Sequence, residues 1–120
     1  MNILEYQKEC ARTCPDLSIF GGEEFNQMHM AIGISTESGE LLDVYKKWFA
    51  YGKGIDKVNV KEEIFDCFWY LVNLCRMLDI DIEKGMEINI AKLKQRYPEK
   101  FTEENAINRN LDKERKILES

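Results

Sequence analysis

Glu63-Ile64-Phe65-Asp66-Cys67-Phe68-Trp69-Tyr70-Leu71-Val72-Asn73-Leu74 holds, in twelve residues, both the apolar mass and the charge that any fold of this chain must accommodate. Cys67 to Val72 are six apolar residues in succession, and the segment from Ile64 to Leu78 is apolar almost all the way round a helix. Such a helix is predicted to be buried on most sides. Two carboxylates nevertheless stand at its head. Their three-residue spacing puts Glu63 and Asp66 on one face, in line with Asn59, Tyr70 and Asn73 within roughly 80°. Carboxylates in that position are costly unless a cation or a cationic partner neutralises them.

The rest of the chain supports a helical setting. Its 120 residues, 44% apolar and 32% charged, suit one domain over 1–120, with a core to about residue 98 and a tail over 99–120. Two prolines and seven glycines leave too few turn signals for a many-stranded sheet, so the expected fold is all-α, with a four-helix-bundle-like core and an additional C-terminal helical tail. Acidic residues outnumber basic ones, 22 to 17, for a net charge of −5. No basic footprint is offered to nucleic acid or to an anionic membrane surface. The six-residue apolar run falls far short of the ~20 residues that cross a bilayer, and the first residues, MNILEYQKE, do not read as an export signal. A cytoplasmic protein is expected. Cys10, Cys14, Cys67 and Cys75 form no CxxC pair and have only His29 beside them, so they read as free thiols and not as a zinc site.

Periodicity predicts a first helix from Asn2 to about Thr13, stopped by Pro15, and a loop from Cys14 to Glu24. A long second helix follows over about Asn26 to Ala50, ended by Tyr51-Gly52-Lys53-Gly54. The third opens at Asn59 or Val60. The fourth, Ile82 to about Tyr97, is capped by Asp79 or Asp81 and stopped by Pro98. A surface or partner-wrapping helix occupies the tail from Thr102 to Ser120.

On the second helix, His29, Gly33, Glu37, Glu40 and Lys47 share a stripe away from the apolar face. Glu37 and Glu40 repeat the spacing of Glu63 and Asp66. With the two helices side by side, four carboxylates surround a common point, and an all-oxygen ligand set selects magnesium or manganese over zinc or copper. On the fourth helix Gly85, Asn89, Lys92 and Arg96 align, presenting an amide, an ammonium and a guanidinium fork suited to phosphate oxygens. Di-iron chemistry in helical bundles needs a Glu-x-x-His motif on each of two helices, which a chain with one histidine cannot supply. Phosphate loops, nucleophile elbows and dinucleotide fingerprints are missing as well.

These motifs resemble the all-α nucleoside triphosphate pyrophosphohydrolases, the MazG-like group that includes dimeric dUTPases and dCTP pyrophosphatases. The resemblance rests on E-x-x-E at Glu37 and Glu40, E-x-x-D at Glu63 and Asp66 with 22 residues between the pairs, Asp66-Cys67-Phe68-Trp69-Tyr70, and N-x-x-K-L-x-x-R-Y from Asn89 to Tyr97. Tyr6-Gln7, Ala11-Arg12-Thr13 and the tail Phe101 to Glu119 fit it too. It implies magnesium-dependent cleavage of a nucleoside triphosphate between the α and β phosphates, with manganese as a substitute ion. Glu37, Glu40, Glu63 and Asp66 are the implied metal ligands and catalytic set, Glu40 being the candidate base. Lys92 and Arg96, with Lys47 or Lys53, would neutralise the leaving pyrophosphate, and Asn89 would donate to phosphate or sugar. His29 stands where many members carry Asn, and Lys47 stands near a base-stacking position of the dCTP-specific members, which argues against strict dCTP specificity. A homodimer or homotetramer is also implied, in keeping with a third helix more apolar than one subunit can cover. The competing reading is a helical module that binds a nucleotide or protein without turning it over.

Overall fold

The computed structural model describes residues 1–120 and holds six α-helices, a short 3-10 turn and no strand. The chain is all-α. Helix α1 spans Ile3–Arg12, α2 Glu23–Tyr51, α3 Lys57–Met77, α4 Ile82–Arg96, α5 Glu103–Ile107 and α6 Leu111–Glu119, with the 3-10 turn at Ser18–Phe20. No helix is long and apolar enough to cross a membrane. The fold divides into two compact units, Met1–Ile80 and Asp81–Ser120. In the second unit α4 packs on α6.

Most helix starts are set by side-chain caps. Asn2 and Glu5 form a reciprocal capping box on α1. Asp56 Oδ1 accepts from the Val58 and Asn59 amides, so α3 begins two residues ahead of its predicted start. Asp81 caps α4, whereas Asp79 takes a left-handed φ of 53° in the turn before it. Helix α2 begins three residues early, after Gly22, whose φ of 102° suits glycine alone. The tail differs more. It is two helices and not one, with a break over residues 108–110 where Asn110 caps α6 through its bond from the Lys113 amide.

In the first unit α2 and α3 run antiparallel. Gly33 meets Tyr70 while Ser38 meets Cys67, so numbers fall along one helix as they rise along the other. Helix α1 lies against α3, and the 3-10 turn lies against α2. Cys10, Met30, Val44 and Val72 are the buried apolar residues, joined by Asn26 and Asn73. Asn73 donates to the Cys10 carbonyl and accepts from Arg76, and Asn26 accepts from the Leu17 amide and donates to Asp16, so both buried amides are satisfied.

Helix α3 is not buried on most sides within one chain. Only Val72 and Asn73 of it are buried, while Phe65 is 55% and Leu71 45% exposed, because α1 and α2 cover part of its circumference. The second unit is barer still. Its one buried residue is Glu114, held bidentately by Arg96 through Nε (2.9 Å) and Nη2 (3.0 Å) and by Arg109 through the same two atoms. The two guanidiniums hold the Glu114 carboxyl down to a pKa of about 2.

Candidate metal centre

The α2–α3 pair carries the site. Glu37 lies on α2 one turn beyond Gly33, whose missing side chain lets the Tyr70 ring rest on the α2 backbone; a Cβ at Gly33 would collide with that ring. This close approach places Glu37 opposite the start of α3. Ligand oxygens of Glu37, Glu63 and Asp66 all lie within 4.8 Å of one another. Glu37 and Glu63 are half-buried, Asp66 is exposed, and Asn59 Nδ2 donates to Glu63 Oε1 at 2.8 Å.

Acidic neighbours surround Glu37. Burial first, then the contact with Glu63 and the charges of Asp66, Glu63 and Glu40, raise the Glu37 carboxyl above the usual carboxylate range. Three carboxylate oxygens this close, on two helices that hold them there, match a hard divalent cation in ligand type. Glu40 stands apart from the three. It is exposed, and although the antiparallel register carries it toward Glu63, it is not among the carboxylates whose ligand atoms lie within 4.8 Å of one another. Its charge still reaches Glu37.

His29 lies two turns before Glu37, its ring edge-on to Tyr70 at 5.9 Å, with Nδ1 buried and unpartnered. Lys47 is exposed and paired with Asp43 at 3.0 Å, and Lys53 is exposed beyond the end of α2. Three more expected binding residues belong to the second unit. Asn89 is exposed on α4, Lys92 is half-buried without an ion-pair partner, and both inner nitrogens of the Arg96 fork are engaged by Glu114. Arg109 and Glu114 were not legible as partners of Arg96, since charged residues 13 and 18 positions away announce nothing in a charged tail. Asn59 shares the α3 stripe of Glu63, and its period alone does not announce the bond to that carboxylate.

The family model of the MazG nucleotide pyrophosphohydrolase domain matches residues 25–101, and the chain belongs to that family. The matched region runs from α2 past α4, leaving α1 and the two tail helices outside it. No curated protein and no solved structure matches the chain.

Proposed function

We propose that this protein is a magnesium-dependent nucleoside triphosphate pyrophosphohydrolase, releasing the nucleoside monophosphate and pyrophosphate, with a role in nucleotide-pool housekeeping. The observation that carries the reading is the convergence of Glu37, Glu63 and Asp66 within 4.8 Å in a chain of this family. These three residues, with Glu40 beside them, would hold the ion or ions; manganese is the natural substitute. When bound, the metal supplies Lewis acidity toward phosphate oxygens.

The chain's own groups supply the rest. Glu40, exposed and outside the tight cluster, is the candidate for orienting and deprotonating the attacking water. We assign Lys92, which has no ion-pair partner, and Asn89, both on α4 of the second unit, to phosphate binding. Arg96 spends Nε and Nη2 on Glu114, which leaves Nη1 as its donor for a phosphate. Lys47 and Lys53 are further candidates for phosphate contact, Lys47 at the cost of its exposed pair with Asp43, which is worth little. His29 Nδ1 is a hydrogen-bonding atom still to be paired on the same helix face, and we assign it to substrate binding.

We further propose a homodimer or homotetramer. Ile32, Leu42, Phe49, Ile64, Phe65 and Leu71 are each at least 45% exposed on α2 and α3, an apolar surface that a second copy would cover. Light scattering that returns only a 14.1 kDa species would overturn this.

The deciding experiment incubates the protein with each common ribo- and deoxyribonucleoside triphosphate and magnesium and measures pyrophosphate. Release that a chelator abolishes, and that Glu63→Gln lacks while keeping its helicity, is the expected result. Tight nucleotide binding without release would favour the non-catalytic module, and wild-type turnover in Glu63→Gln would remove the carboxylate assignment.

A further inference from the structure

We infer that Asn59 is a positioning residue for Glu63, orienting its carboxylate so that the cation site is formed before the cation arrives. The inference rests on the reading of Glu37, Glu63 and Asp66 as a cation site. Three mutually repelling carboxylates tend to swing apart, and beyond the contact of Glu37 with Glu63 no member of the cluster opposes that tendency. Asn59 does. Its Nδ2 donates to Glu63 Oε1 at 2.8 Å, from one turn earlier on the same face of α3. A carboxylate oxygen can only accept, so chemistry fixes which end of the amide faces Glu63. One oxygen is thereby tied to Asn59, which fixes the side chain that carries the carboxylate into the cluster.

Asn59 is itself held. Its backbone amide donates to Asp56 Oδ1 at 3.2 Å, as the third residue of a capped helix, so the chain of constraint runs from the cap through Asn59 to the ligand. The residue type is apt. A lysine or arginine would also donate, but its charge would compete with the cation; an aspartate would add a fourth repelling carboxylate; a serine is too short to span a helical turn. A neutral amide is the donor that orders the ligand without occupying the site. Partners of this kind orient metal ligands and typically matter 10–100-fold in affinity.

The test is manganese binding to the nucleotide-free protein, followed by electron paramagnetic resonance, for the wild type, Asn59→Ala, Asn59→Ser and Glu63→Gln. Asn59→Ala and Asn59→Ser should bind manganese about 10–100-fold more weakly with unchanged far-ultraviolet circular dichroism. The magnesium concentration giving half-maximal pyrophosphate release should rise by the same factor, with the rate recovering at saturating magnesium. Serine serves as the second variant because it is well tolerated near a helix start yet cannot reach Glu63. If either folded variant binds manganese like the wild type, the inference is overturned while the cation site stands. If the wild type binds no better than Glu63→Gln, the cation site itself falls, and the inference with it.

Discussion

Glu37 is the residue at which stability and function pull apart. Its carboxyl is raised in the fold, so the folded protein binds its proton more tightly than the unfolded chain does. Stability is then lost as pH rises from the ordinary value of 4.5 through the raised one. Glu37→Gln should therefore melt at a higher temperature than the wild type in chelator at pH 7, and lose that advantage when magnesium is added; a lower melting temperature in chelator would contradict the account. Gly33 shows the opposite constraint. Gly33→Ala pushes a methyl group into the Tyr70 ring, and overpacking of this kind costs about 1–3 kcal/mol, measurable by denaturant unfolding. The sequence was most readable at this scale, because helical period alone puts Glu37 on one stripe and Glu63 with Asp66 on another. It could not tell that Glu40 would stand outside the tight cluster, since that depends on how the two helices pack and on where each side chain then points.

Among the elements, α3 owes its start to one carboxylate. Asp56→Ala removes the acceptor of two amide bonds and should cost about 1 kcal/mol, with fraying of the first turn seen as faster hydrogen exchange at Val58 and Asn59. Because Asn59 lies in that turn, the same change should also weaken manganese binding. Four of the predicted helices exist close to their expected places, since a long apolar period and terminal glycines or prolines are local signals. Their exact starts moved by two or three residues where a cap or a left-handed glycine took precedence. The tail reads as one helix in sequence because Asn108 and Asn110 are weak breakers, whereas the fold divides it where Asn110 accepts from the Lys113 amide.

On the scale of the whole molecule, the two units are stabilised by different physics. The first has an apolar interior, whereas the second buries a single carboxylate between two guanidiniums. The Glu114 pKa is depressed from 4.5 to about 2, so its contribution is fully present above pH 4.5 and lost as pH falls toward 2. Amide protection of α6 should fade across that window, and Glu114→Gln should abolish the dependence while weakening α6 at neutral pH; retained protection at pH 2 would refute the assignment. The sequence did not reveal this division, because 22 acidic and 17 basic residues look alike until the fold selects which of them meet. Nor could it show how little of α3 one chain covers, which depends on how many helices reach it. The single histidine has a practical consequence of its own. His29 packs edge-on to Tyr70 on the helix pair that carries the carboxylates, and no other imidazole shares its spectral region. The molecule thus contains an unlabelled nuclear magnetic resonance reporter, two ring protons in the field of one aromatic neighbour, with which occupancy of the α2–α3 seam can be followed one ligand at a time.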